Sequence, residues 1–260
     1  MVRLAPRERI PLLWIGGWSL DPFLHPFDRD STLGCRLAPI NLTACRHVGE
    51  FLDTVRRTVI TVSDRAGRVD LAGWSMGALL ALHVAADLPH RVRRMLLMSA
   101  TPRFTRHVES GWLAGLSPAK FALMKRRLAD QRREALADFH YAMLARGDFD
   151  EASDPQALVA ATGERWSPGE SKWSTEALAA GLDLLRTLDV RDRVAQVSIP
   201  VLLVHGVDDL ICPVEAGRWL AGHLPQAELI ELPGAGHVPF WDQGSAVDQR
   251  VEAFFLDNAE

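Results

Sequence analysis

Five residues, Gly73-Trp74-Ser75-Met76-Gly77, constrain this chain more than any other stretch. A largely apolar run at 69–72 precedes them and another, at 78–88, follows. The pattern reads as strand, sharp turn, helix. Such a turn lifts the Ser75 hydroxyl to where a base can reach it, and it forces unusual backbone angles on the serine. Glycines two residues before and two after relieve the crowding of strand against helix, because they lack a Cβ. The helix opens at the serine, so its free N–H groups face any oxyanion that forms there. A Gly-x-Ser-x-Gly match arises by chance roughly 0.1 times in a chain of this length. The flanking strand and helix patterns make accident the poorer reading still.

Length and composition set the bounds. A chain of 260 residues is one large domain, or one domain with an insertion. Its net charge of -4 argues against general nucleic-acid binding, which needs a basic footprint. Three cysteines, Cys35, Cys45 and Cys212, are sparse and odd in number. They show no metal-ligand spacing, and they point to a reducing compartment without a disulfide framework. Arg3, Arg7, Glu8 and Arg9 precede any apolar run, and residues 11–18 are too short and glycine-rich for a signal peptide's apolar region. No run of about 18 apolar residues exists, so no membrane span is expected. The expectation is a cytoplasmic monomer without metal or other cofactor.

Residues 11–15 are apolar and end in Gly16-Gly17-Trp18-Ser19, which suits a buried parallel strand and a loop whose backbone approaches a ligand. Residues 20–43 are proline-rich and irregular, with a short strand expected within 36–42. Residues 47–59 alternate at helical spacing, through Val48, Phe51, Leu52 and Val55, and 59–62 either extends that helix or forms its exit. After the turn, 78–88 is apolar almost all round and reads as a buried helix, with His83 a structural histidine. Residues 91–94 lead into a buried strand at 95–100. The alternation of strand and helix predicts a parallel sheet with helices on its faces.

After Pro102 the character changes. Helical periodicity runs through 118–128, 132–145, 154–163 and 174–188, the last capped near Ser174 or Thr175. Residues 103–186 therefore read as a helical lid inserted after the sixth strand, between core segments 1–102 and 187–260. Between Arg103 and Glu134 eight Lys or Arg stand against three acids. That local excess is either a solvated face or a docking patch for an acidic partner. Residues 201–206 form another buried strand, ending near Asp208 and Asp209. A helix at 213–224 and a last strand at 227–232 follow. Gly236-His237-Val238-Pro239-Phe240 then places a histidine in a loop before a final amphipathic helix.

Ser75, Asp209 and His237 now fall in the chain order of the α/β-hydrolase triad. Ser75 is the candidate nucleophile, and His237 the base that takes its proton and returns it to the leaving group. Asp209 fixes the histidine. It is preferred to Asp208, a turn or capping residue, for its place three residues after Gly206 and four before Pro213. His205 lies within the strand pattern and reads as structural. The candidate oxyanion donors are the backbone N–H groups of Trp18 and Met76.

Several stretches together resemble the pimeloyl-acyl-carrier-protein methyl ester esterases of biotin synthesis. They are the turn around Ser75, the helix ending Leu88-Pro89-His90-Arg91-Val92, Ser99-Ala100-Thr101-Pro102, residues 181–189 and Gly236 to Phe240. The resemblance covers most of the chain from Val69 and includes the lid. It implies an α/β-hydrolase fold, a mostly parallel sheet flanked by helices, and a cofactor-free serine carboxylesterase that releases methanol. It also implies that Trp18, Trp74, Met76, Phe139 and Met143 line the substrate pocket. By the same resemblance, basic lid residues meet an acidic carrier protein, and Lys125, Arg126, Arg127, Arg132 and Arg133 are the candidates here. Two features depart from the family pattern. Gly16 and Ser19 stand where His-Gly-Trp-Gly is usual, and Ala38-Pro39-Ile40-Asn41 replaces a glycine-rich Asp-x-x-Gly-x-Gly loop. Two other readings stay open: a general short-acyl carboxylesterase or other hydrolase of the fold, and a non-catalytic binding protein on it. A dehalogenase is disfavoured, since its nucleophile is an aspartate where this chain has Ser75.

Overall fold

The computed structural model describes residues 10–27, 30–144, 168–242 and 245–257. The expected helix at 154–163 lies outside them, as do Ala145 and Trp166. Among the described residues six strands form one sheet: β1 (Leu12–Ile15), β2 (Leu37–Pro39), β3 (Val69–Trp74), β4 (Val92–Met98), β5 (Val201–Gly206) and β6 (Ala227–Leu232). Their spatial order is β2-β1-β3-β4-β5-β6, and every neighbouring pair is parallel. Helices α1 (Val48–Ala66), α2 (Met76–Asp87) and Val214–His223 connect strands, as parallel pairing requires. The strands β1, β3 and β5 are buried at every residue, which explains sequences that are apolar apart from Asp70 on β3 and His205 on β5.

Two boundaries differ from the sequence reading. Helix α1 continues to Ala66, with Val59 and Ser63 buried, so residues 59–62 extend it. Strand β4 begins at Val92 and includes two arginines. Both side chains find partners that a buried strand otherwise excludes. The Arg93 guanidinium reaches the Asp70 carboxylate at 2.6 and 2.9 Å and the Phe255 carbonyl at 2.6 Å. Arg94 donates to the Phe254 carbonyl at 2.7 Å and lies over the Phe254 ring. These contacts lash the C-terminal helix Ser245–Leu256 to the sheet.

Between β4 and β5, after the fourth described strand rather than the expected sixth, the chain leaves the sheet for α3 (Pro118–Asp130), α4 (Arg132–Leu144) and the helix Thr175–Thr187. Ser117 caps α3 and Ser174 caps the last of these, each hydroxyl accepting a backbone N–H three residues on. The inserted helix Thr175–Thr187 buries Leu178, Leu182, Leu184 and Leu185, which join the same apolar cluster as the sheet. Among the described residues no helix is long and apolar enough to cross a membrane.

Asp70, on β3, is fully enclosed and held by Arg36 and Arg93. Removing it leaves two guanidiniums facing a desolvated gap. Asp70→Ala is expected to lower unfolding free energy by about 3–5 kcal/mol. Arg250→Ala, which breaks the exposed pair with Glu228, is expected to cost under about 1 kcal/mol. Urea unfolding of both variants checks the contrast.

Candidate active site

The site forms at the carboxyl ends of the strands, where parallel sheets place ligands. Strand β3 ends at Trp74, and Ser75 occupies the turn with φ 54° and ψ -117°. This strained geometry is what the flanking glycines permit. A Cβ on Gly77 would lie 1.9 Å from the Ile15 carbonyl oxygen, and one on Gly73 would lie 2.6 Å from that of Gly77. The Ser75 amide donates to the Met98 carbonyl at 3.0 Å, which ties the turn to β4. Met76 opens α2, so its N–H belongs to the first turn.

Three side chains separated widely in sequence meet here. The Ser75 hydroxyl lies 2.9 Å from His237 Nε2, and His237 Nδ1 lies 2.8 Å from Asp209 Oδ2. A carboxylate only accepts, so Nδ1 carries the hydrogen and Nε2 is free to accept from Ser75. The Asp209 loop is itself fixed, because Oδ1 accepts the backbone N–H groups of Ile211 and Cys212, both at 2.8 Å. Asp208 is only half-buried, and its amide donates to Ala235. Burial pushes the Asp209 carboxyl upward, but the charge of His237 and hydrogen bonds from His205 and His237 outweigh it. The carboxyl is held well below the usual carboxylate range.

His205, set down as structural from its strand position, lies fully buried beside this loop. Its Nε2 donates to the Cys212 carbonyl at 2.8 Å and stands 3.5 Å from Asp209 Oδ2. The backbone of His237 is held from two sides. Its carbonyl accepts from the Trp74 indole at 2.8 Å and from the Ser99 hydroxyl at 3.0 Å. Its N–H donates to the Met143 carbonyl at 3.1 Å, at the end of α4. Sequence reasoning gave Ser99 no role at the site. A small polar residue at the carboxyl end of a buried strand was the available signal.

The remaining candidates sort clearly. Trp18 is buried, its indole donates to the Leu178 carbonyl at 2.9 Å, and its ring meets Phe139 edge-on at 5.1 Å. Trp74 packs against His237 and Phe240. Phe139 and Met143 sit on α4, Phe139 against the Trp18 ring and the Met143 carbonyl against the His237 N–H. Of the basic residues, Lys125 pairs with Asp183 and Arg127 with Asp138, each at 2.6 Å. Arg132 turns inward and donates to the carbonyls of Ser171 and Trp173 at 3.1 and 2.6 Å. Arg126 and Arg133 are exposed. Among the described residues no group of three or more His, Cys, Asp or Glu is arranged to hold a metal.

The depressed Asp209 has a consequence for acid stability. Its ionised form favours the folded state, so its contribution is whole above the unfolded value, near 4, and fades as pH falls below it. Wild-type urea midpoints are expected to fall more steeply than those of Asp209→Asn between about pH 5 and pH 2. Parallel curves would show that Asp209 has no such linkage.

This arrangement can be set beside known proteins. The sequence profile of the alpha/beta hydrolase fold family matches residues 65–243. The pimeloyl-[acyl-carrier protein] methyl ester esterase of Nitrosomonas europaea is 34% identical over 73% of this chain and 72% of its own. The protein of that name from Chromobacterium violaceum is 34% identical over 92% of this chain and 80% of its own. Among solved structures, an esterase from Exiguobacterium antarcticum superposes with a TM-score of 0.75 at 18% identity, covering 95% of this chain and 91% of the other. A hydrolase from Oleispira antarctica gives 0.76 at 12% identity, over 96% and 92%. At those identities the solved structures bear on fold alone. The chain belongs to the alpha/beta hydrolase fold family and, within it, to the family of the pimeloyl-[acyl-carrier protein] methyl ester esterases.

Proposed function

We propose that this protein is a serine carboxylesterase that hydrolyses the methyl ester of pimeloyl-acyl carrier protein through an acyl-enzyme on Ser75. The observation that carries the reading is the continuous hydrogen-bonded series Ser75–His237–Asp209. The relatives named above supply the substrate. Ser75 Oγ attacks the ester carbonyl carbon while His237 Nε2 takes its proton. Asp209 holds the ring and balances the imidazolium charge, which it can do because its carboxyl stays ionised. The oxyanion of the tetrahedral intermediate is bound by the N–H groups of Trp18 and Met76. Each such donor contributes on the order of 10²–10³ in rate. His237 then protonates the departing methoxide, methanol leaves, and Ser75 carries the acyl group. Water attacks that ester with His237 again as base, releasing the free carboxylate and restoring the serine. The proton is conserved at each step, and no cofactor takes part.

The pocket is lined by Trp18, Trp74, Met76, Phe139 and Met143, with the inserted helices as a lid over residues of the core. The carrier protein docks on the basic face of α3 and α4. A second reading, a general short-acyl carboxylesterase, gains from the internal pairing of Lys125, Arg127 and Arg132. That pairing leaves Arg126 and Arg133 as the cations most available to an acidic partner. The reading of the site as a binding module on the fold needs Ser75 to be unreactive.

Ser75→Ala is expected to lower kcat by about 10⁶-fold and to abolish fluorophosphonate labelling. Wild-type protein that takes no label would favour the binding module. The double reversal Arg126→Glu, Arg133→Glu is expected to cut kcat/KM on the carrier-protein ester about tenfold and to spare a nitrophenyl ester. Equal effects on both substrates would contradict docking. Complementation of a biotin-requiring strain that lacks its own methyl esterase, with Ser75→Ala as control, tests the substrate directly.

A further inference from the structure

The loop at 18–21 is tied to the inserted helices and to the 171–173 segment between α4 and the helix Thr175–Thr187. The Trp18 indole donates to the Leu178 carbonyl at 2.9 Å, and Ser171 Oγ donates to the Ser19 carbonyl at 2.5 Å. The Trp173 indole donates to the Leu20 carbonyl at 2.9 Å, and Lys172 pairs with Asp21 at 2.5 Å. The most enclosed tie is side chain to side chain. Ser19 Oγ lies 2.8 Å from His140 Nε2, across 121 positions of sequence, and both residues are fully buried.

Ser19 also holds φ 71°, a left-handed conformation that glycine adopts without cost and serine does not. A strained residue persists where its surroundings over-determine it. Glycine at this position would relieve the strain and lose the hydroxyl. The Gly169 N–H donates to His140 Nδ1 at 3.1 Å, so Nδ1 is the bare nitrogen and Nε2 carries the hydrogen donated to Ser19. Burial brings the His140 pKa down to about 3, which keeps this donor and acceptor arrangement through the neutral range.

We infer that Ser19 and His140 are positioning residues that hold the Trp18 backbone N–H in place for the oxyanion. The inference rests on reading Ser75 as the nucleophile and Trp18 as an oxyanion donor. Ser19 touches no reacting atom in this account. It fixes the peptide next to the one that does, and His140 carries that constraint from α4. The positioning of the donor matters because it acts only when aligned with the oxyanion, and small misplacements cost rate steeply.

The test separates positioning from mere folding, because the strain relief and the lost bond act in opposite directions. For Ser19→Gly, kcat on a nitrophenyl ester is expected to fall about 10- to 100-fold with KM nearly unchanged. Affinity for a trifluoromethyl ketone, which adds to Ser75 as an oxyanion, is expected to fall by the same factor. The melting temperature should stay the same or rise. His140→Gln, whose amide N–H can replace Nε2–H, should keep most of the activity, and His140→Ala should lose it with Ser19→Gly. Unchanged kcat in Ser19→Gly, or a loss that tracks a fall in melting temperature, would overturn the inference while leaving the nucleophile reading intact. Wild-type turnover that survives Ser75→Ala would overturn the reading of the site and this inference with it.

Discussion

The imidazole of His237 bridges two groups that no stretch of sequence brings near each other, and it can do so only because its own peptide is fixed. Trp74 and Ser99, at the ends of β3 and β4, both donate to its carbonyl. The Met143 carbonyl, at the end of α4, receives its N–H. Two of these ties come from the sheet and one from the insertion. A ring held at both of its nitrogens, on a peptide held at both of its polar groups, has little freedom left to misalign. Loss of about 1 Å in such an alignment costs on the order of 10² in rate.

The sheet makes that precision possible by absorbing strain. Ser19, Ser75 and Ser99 are the non-glycine residues with positive φ among those described. All three stand at or beyond the carboxyl end of a buried strand. Close-packed neighbours hold each in a sparsely populated conformation, and the hydroxyl of each makes a hydrogen bond, Ser75 and Ser19 to a histidine ring and Ser99 to the His237 carbonyl.

Much of this was legible in the sequence, for identifiable reasons. Unbroken apolar runs announce strands buried on both faces. The Gly73 and Gly77 spacing announces a turn that admits no Cβ, and the Ser174-Thr175 pair announces a helix start, with Ser174 the cap in the structure. Asp209 was separable from Asp208 by position alone. What stayed hidden depends on long-range pairing. Arg93 and Arg94 looked like strand flanks because their partners, Asp70 and the carbonyls near the C-terminus, are far away in sequence. Arg132 looked like surface charge, yet it serves two carbonyls of the 171–173 segment. The bond from Ser19 to His140 has no local signature. A serine in a loop and a histidine in a helix are ordinary until the chain folds them together.

The core and the insertion thus divide the work. The ends of the strands present Ser75, His237 and Asp209, while the inserted helices brace the loop that carries Trp18 and accept the His237 N–H through the Met143 carbonyl. The most direct measurement is acid-quenched turnover of an activated ester followed by peptide mass spectrometry. The account predicts an acyl increment on the peptide containing Ser75, formed in a burst of about one equivalent per protein. An acyl group found on another residue, or steady turnover with no acylated peptide, would contradict it.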